Sequence, residues 1–369
     1  MKSSVQIGKI IGIPIRIHFT FLIILALFAW SFSTDSVALF GFIIGYGALS
    51  LDLTVKIILG IFLAVFLFVC VILHEIGHSY LTQRYGYKIS GITLFIFGGV
   101  SQAEEIPRNP KMELKIASIG PGISILLGIL FYVFYLFIND LGTSLDLQIM
   151  SITIGTLAFY NVLLGLFNLI PAFPIDGGRI LRSVLASRIE YGRATKIASN
   201  VGKGFAVAMA VFGIFFNIWL VLIAVFVYIG ASEEDKSLHI SIALESFKVK
   251  DLMTSSVDSV SPTITLREFS EYMVTHKHLG YPVMEKNHVL GMMTITELHK
   301  VEKEKHESTL VKDVMRKDVF SISSNEPAIS AFKMMMNNKH ERLLVQKDGE
   351  YLGIISWSDL LRAMKMKGV

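Results

Sequence analysis

Residues 69–82 read VCVILHEIGHSYLT, and they place His74, Glu75 and His78 after a stretch, 55–73, that holds one lysine and almost nothing else polar. Histidines four apart on a helix share one face, about 6 Å apart along the axis. Both rings then reach one Zn2+ at about 2.0–2.1 Å, the two-histidine half of a tetrahedral site. Glu75, between them, is placed to take a proton from an attacking water. Two histidines capping a helix end would be the plainer reading, but charge near bilayer depth is expensive and tends to mark function. Cys70, one turn before His74, reads as a small apolar packing residue. A catalytic zinc needs a third protein ligand and one open position. The strongest candidate is Asp176 in NLIPAFPIDGGRIL, residues 168–181. Pro171 and Pro174 force the chain out of a helix, and Gly177 and Gly178 allow its backbone a close approach to its neighbours. Irregular backbone at this depth is tolerated only where it is buried in protein or lines a water-filled cavity. A carboxylate there completes a His2Asp site of the hydrolytic kind.

These residues need a membrane scaffold, and the composition supplies one. The 369-residue chain is 53% hydrophobic and 17% charged, against about 45–50% and about 25% in soluble domains. The excess lies between about residues 15 and 231, so a membrane domain over 1–235 is expected, then a linker, 236–247, then a soluble tail. The net charge of +4 gives no ground for a nucleic-acid partner, and the single cysteine excludes an intrachain disulfide and a cysteine-based zinc knuckle. No small-residue cleavage site follows the first apolar run, which is therefore a retained span.

Residues 17–33, 55–82, 112–138 and 149–171 read as spans, whereas 37–50 is short and suits an interfacial or re-entrant segment. Between Arg84 and Pro110 alternation, a glycine pair and two prolines predict a short strand or hairpin and a loop. The apolar run 203–231, with Asn217 in its middle, is one span or a hairpin of two helices. A hairpin is preferred, although legs of about 14 residues are short for a bilayer. Lys2, Lys9, Arg16, Arg84, Lys88, Arg108, Lys111, Lys115 and the basic stretch 179–203 fall on one side of the spans, which places the motif end of its helix in the cytoplasm. The tail is an internal repeat: VKDLM pairs with VKDVM, and GMMTITEL with GIISWSDL. Each copy, 248–305 and 306–369, predicts helix, strand, helix, two strands and helix, with apolar sheet faces that bury each other.

HEIGH in an apolar helix, FGGV at 97–100, GPG at 120–122 and NLIPAFPIDGG in a later segment together resemble the site-2 protease family of intramembrane zinc metalloproteases, over residues 1 to about 235. The resemblance implies a polytopic α-helical membrane domain of about six transmembrane helices in the cell membrane. It also implies one Zn2+ per chain held by His74, His78 and Asp176, with Glu75 as catalytic base. Asn168 matches the family's asparagine, either as a donor to substrate or oxyanion or as a structural group bonded to backbone. The 37–50 stretch departs from the pattern, which has only a loop there. The expected reaction is hydrolysis of peptide bonds in or near the transmembrane segment of a membrane-protein substrate. Such a substrate must first unwind, and LFIFGGV, 94–100, either offers it a strand edge or plugs the cytoplasmic mouth.

The tail resembles a tandem pair of cystathionine-β-synthase-type (CBS) domains, an α+β fold that commonly binds adenine nucleotides and often pairs into dimers. It implies ATP, ADP or AMP as regulator, a cytoplasmic tail and a homodimer through the CBS pair. Ser356 and Asp359 stand at the spacing that meets ribose and phosphates. Thr294 and Glu297 match it less closely, since aspartate is usual there. Arg342 and His340 would meet phosphate, and an apolar slot near Val257 or Tyr281 would take adenine. A rival reading, a CBS-gated ion or solute transporter using the His/Asp cluster as an ion site, leaves Glu75 between zinc-spaced histidines unexplained. A zinc-bound inactive scaffold ranks below both.

Overall fold

The computed structural model describes residues 4–96, 98–103, 108–255, 258–276, 278, 280–286, 288–338, 340–348 and 350–368. It divides into two compact units, Met1–Asp235 and Lys236–Val369.

In the first unit, β1 (Ser4–Ile10) and β2 (Ile13–His18) form a hairpin that leads into α1 (Phe19–Thr34), whose first turn is capped by the His18 side chain. A second hairpin, β3 (Val37–Leu39) and β4 (Phe42–Ile44), precedes α2 (Leu53–Arg84). At 32 residues α2 is about 48 Å long, well beyond the hydrocarbon core. It ends where Gly86 turns to φ +89°, the left-handed conformation that closes a helix. Next come β5 (Ile89–Phe95), β6 (Gly98–Ala103), α3 (Pro110–Asp140), α4 (Leu145–Asn168), α5 (Asp176–Ala186), α6 (Tyr191–Phe216) and α7 (Ile218–Glu245). Asn109 caps α3 through the Met112 N–H, with Pro110 at its first position. The sheet order is β1-β2-β5-β6, with β2 and β5 parallel, so β6 lies at an edge.

α2, α3, α4 and α6 are long and apolar enough to cross a membrane. Apolar side chains such as Leu130, Val133, Phe134 and Phe137 stand exposed on α3, as a lipid-facing surface requires. α1 has 16 residues and the apolar part of α7 stops at Glu233, so by length and composition the expected count of about six rests on four helices. The helices meet around Phe32, Tyr46, Leu63, Ala64 and Leu67, and Cys70 is buried among them as a packing residue.

Two segments left open by the sequence take definite form. The run 203–231 is two helices meeting at Asn217, whose side-chain oxygen accepts from the Trp219 N–H. They pack antiparallel, with Ser199 Oγ donating to the Ala231 carbonyl at 2.6 Å and Ala206 against Val227. Polar residues extend both legs beyond the apolar run, to 26 and 28 residues, and of the two only α6 is long and apolar enough to cross a membrane. The 37–50 stretch is the β3–β4 hairpin, seated by Phe42 on Tyr132, Tyr135 and Phe159 and by the Tyr46 hydroxyl, 2.6 Å from Thr153 Oγ1.

In the second unit α7 continues as far as Glu245, so most of 236–247 is helical. There follow α8 (Val249–Leu252), β7 (Thr254–Ser255), α9 (Leu266–His276), β8 (Gly280–Glu285), β9 (His288–Thr294), α10 (Ile295–Leu298), α11 (Val311–Val314), β10 (Ser321–Ser323), α12 (Ala328–Asn338), β11 (Arg342–Lys347), β12 (Glu350–Ser356) and α13 (Trp357–Met366). The two repeats exchange their first segments. Thr254 of the first copy pairs with Ile354 in β12, while Arg316 of the second bridges Met292 in β9. Val249, Leu252 and Met253 accordingly lie with the core of the second copy, and Val311, Val314 and Met315 with that of the first.

Candidate functional site

His74 and His78 point from α2 toward Asp176, the first residue of α5. Asp176 Oδ2 lies 3.2 Å from His74 Nε2 and 3.0 Å from His78 Nε2, and the two Nε2 atoms are 3.2 Å apart. All three residues are buried. Ligands at 2.0–2.1 Å around one tetrahedral ion stand about 3.3 Å from one another, so this donor set fits a zinc ion with little adjustment.

The far side of each ring supports the same reading. The His78 Nδ1–H donates to the Ile116 carbonyl at 2.6 Å, which leaves its Nε2 with the free lone pair. His74 Nδ1 is 2.9 Å from the buried Ser124 hydroxyl. Both partners lie on α3, which also brings Gly120 against the ring edges. A Cβ there would overlap His78 Nε2 and stand 2.6 Å from His74 Nε2. The GPG sequence is thus where a helix passes a metal-type donor set without a side chain. Pro121 lacks the N–H that would bond the Ala117 carbonyl, which loosens α3 in the turn that serves His78.

Asp176 is held by its own irregular approach. α4 ends at Asn168, and the chain turns through Pro171 and Pro174 before α5 begins. Gly178 lies so close beneath this loop that a Cβ would stand 2.6 Å from the Phe173 nitrogen. The carboxylate sits at the N-terminus of α5, where unpaired N–H groups favour negative charge. Asn168 donates one amide hydrogen to the Leu164 carbonyl at 2.9 Å. Glu75 is half-buried on α2 and faces β6. A Cβ at Gly99 would stand 2.5 Å from Glu75 Cγ and 3.0 Å from its Cδ, so β6 crosses the glutamate backbone-first.

In the second unit a cavity of about 280 Å3 is lined by Thr294, Arg316, Asp318, His340, Glu341 and Arg342 among others. Three of the expected nucleotide-facing residues, Thr294, His340 and Arg342, therefore meet there. Ser356 and Asp359 do not line it. They form a reciprocal cap on α13, with Asp359 Oδ2 accepting from Ser356 N at 2.9 Å and from its hydroxyl at 2.6 Å. Glu297 is also committed, accepting from Thr294 Oγ1 and from Arg316 Nη2 at 2.9 Å. Burial works to raise its carboxyl, but these two partners outweigh it and hold it below the usual carboxylate range. Arg316 went unread in the sequence, yet there was a signal for it: it replaces Thr254 where the two copies otherwise run in parallel. Tyr281 is fully buried in the core of the first repeat, so it offers no open slot, and Val257 lies outside the described residues.

A buried zinc-type donor set, two histidines on the spanning helix α2 and an aspartate on the short helix α5, with a two-repeat α+β unit following, defines a multi-pass membrane metallopeptidase with an attached repeat module. The model of peptidase family M50 matches residues 62–146 and 140–211, and that of the CBS domain matches 249–304 and 311–366. The zinc metalloprotease MJ0392 of Methanocaldococcus jannaschii is 38% identical over 369 residues, covering 99% of this chain and 97% of that protein. The solved site-2 protease from Methanocaldococcus jannaschii is 39% identical and covers 63% of this chain and 95% of its own, with a TM-score of 0.43. The chain belongs to peptidase family M50, the site-2 proteases, and is a zinc metalloprotease bearing a tandem CBS pair.

Proposed function

We propose that this protease cleaves peptide bonds in or near the transmembrane segment of a membrane-protein substrate, with His74, His78 and Asp176 as its zinc ligands and Glu75 as its base. The observation that carries the reading is the buried set of two Nε2 atoms and one Oδ2 atom at 3.0–3.2 Å. Zinc held there would polarise the scissile carbonyl and make water nucleophilic at neutral pH. Glu75 accepts the proton from the attacking water and delivers it to the leaving amine. β6 supports the strand-edge reading of LFIFGGV. It is the edge of its sheet and passes Glu75 at Gly99, so an extended substrate added to it lies one strand spacing, about 4.8 Å, further out. Asn168 keeps a second amide hydrogen for substrate.

The basic residues around the motif end of α2 support a cytoplasmic site and, with α1 and the α6–α7 hairpin both crossing, six spans and a cytoplasmic CBS pair. In that compartment the cavity at Thr294, Arg316, His340 and Arg342 takes an adenine nucleotide, phosphates toward the cations, and the CBS pairs of two chains associate as a homodimer.

The test is cleavage of a single-span substrate in detergent by the purified full chain. Glu75→Gln should retain one zinc per chain while cleavage falls at least about 100-fold, and a chelator should abolish wild-type cleavage. Persistent cleavage by Glu75→Gln would sink the assignment. Solute flux through reconstituted protein that cuts nothing would favour the transporter instead.

A further inference from the structure

α5 is only 11 residues long, and it carries Asp176 at its first position and Arg182 six residues later. Arg182 is 6% exposed, which is unusual for a guanidinium, and every face of it is engaged. Its Nε donates to Glu113 Oε1 at 3.0 Å and its Nη2 to the same oxygen, on α3. Its Nη1 donates to Glu234 on α7 at 2.5 Å. The guanidinium also lies 4.9 Å from the Phe173 ring centroid, in the loop before Asp176, and 5.1 Å from that of Tyr191 on α6. The Tyr191 hydroxyl closes the network by donating to Glu113 Oε2 at 2.9 Å. One side chain thus ties α5 to three other helices and to its own lead-in loop.

Two of those tethers have distinct jobs. Glu113 fixes Arg182 to α3, the helix that supplies Ser124 and the Ile116 carbonyl to the histidines, so both halves of the donor set share one support. Glu234 fixes Arg182 to α7 (Ile218–Glu245), on the opposite side of the guanidinium from Glu113. α7 meets the Asp176 loop once more, at Gly230, where a Cβ would overlap the Pro174 ring. A rotation or shift of α7 therefore cannot leave the Pro171–Asp176 loop and α5 where they are.

We propose that Arg182 is a positioning residue for Asp176, and that through Glu234 it makes the grip on the metal depend on the placement of α7. The inference rests on the metal reading given above. Removing the Glu234 arm alone lets α5 relax toward α3, and the Asp176 carboxylate loses its fixed place against the two imidazoles. Supporting groups of this kind typically set metal affinity by about 10- to 100-fold when removed.

The experiment is zinc affinity of the detergent-purified full chain, by competition with a calibrated chelator, alongside the melting temperature of the zinc-free form. Glu234→Gln, at a partly exposed position, should weaken zinc about 10-fold with the zinc-free melting temperature unchanged. Arg182→Lys, which keeps the charge but loses the planar fork, should do the same or more. Glu234→Asp, which keeps a carboxylate, should recover most of the affinity. Zinc affinity equal to wild type in both Glu234→Gln and Arg182→Lys overturns the proposal. So does a loss that only tracks a fall in the zinc-free melting temperature, or one that Glu234→Asp fails to relieve. Wild-type chain that holds no zinc would instead overturn the metal reading beneath it.

Discussion

The space around His74, His78 and Asp176 is defined as much by what is missing from α3 as by the ligands themselves. At Gly120 the helix axis comes so near the imidazole edges that even a methyl group has no place. Gly120→Ala is therefore expected to push one ring out of the donor set and to lower zinc affinity at least about 10-fold, read by chelator competition, with α3 itself intact because alanine is the better helix former. Unchanged affinity would mean that the donor set does not need a glycine at this point of α3. His74, Glu75 and His78 were legible in the sequence because a four-residue spacing is a local property of one helix. Asp176 was legible because two prolines and two glycines crowd around it. Ser124 and Gly120 as supports, and the Arg182–Glu113 pair, were not. Their partners lie far away along the chain, 50 residues for Ser124 and 69 for Arg182, and no local pattern records which helix faces meet.

Helix length is where sequence and structure part company among the elements. Hydropathy locates the apolar stretch 203–231 but not the ends of the helices that contain it. α6 begins twelve residues earlier on an amphipathic stretch, and α7 outlasts the run by fourteen. Asn217 alone marks the break, by capping α7 in place of continuing α6. The hairpin predicts that the two outer ends share a side. In a Cys70→Ala background, single cysteines at Ser187, just before α6, and at Ser246, just after α7, should react with a membrane-impermeant maleimide from the same face of sealed vesicles. Labelling from opposite faces would mean that the pair crosses only once. The β3–β4 hairpin escaped the sequence for a related reason. Its strands are three residues each, and what holds them is Phe42 and Tyr46 packed on distant helices, not a pattern of their own.

Over the whole molecule, two cores of different kinds are built in one chain, a lipid-facing bundle and a pair of repeats that complete one another by exchanging segments. The repeat unit was the more legible, since VKDLM and VKDVM announce the duplication. The exchange itself was not legible, because a duplicated sequence is equally consistent with each copy folding on itself. Glu297 and Arg316 show what the exchange brings. Arg316 belongs to the second copy yet reaches Glu297 of the first from the bridge at Met292, so this ion pair joins the two halves. The folded carboxyl is held below its ordinary value, whereas in the unfolded chain it returns to about 4.3. Between those two values the unfolded chain binds a proton that the folded one does not, so stability falls as pH is lowered through this window and the pair's contribution is complete above it. Glu297→Gln should flatten that part of the pH response while lowering stability at neutral pH, because Arg316 loses its partner. Trp357 is the only tryptophan of the repeat unit, so with Trp30→Phe and Trp219→Phe its fluorescence reports that unit's melting alone. A melting temperature that declines with acid equally in Glu297→Gln and in its parent would show that the Glu297–Arg316 pair does not bind the two repeats together.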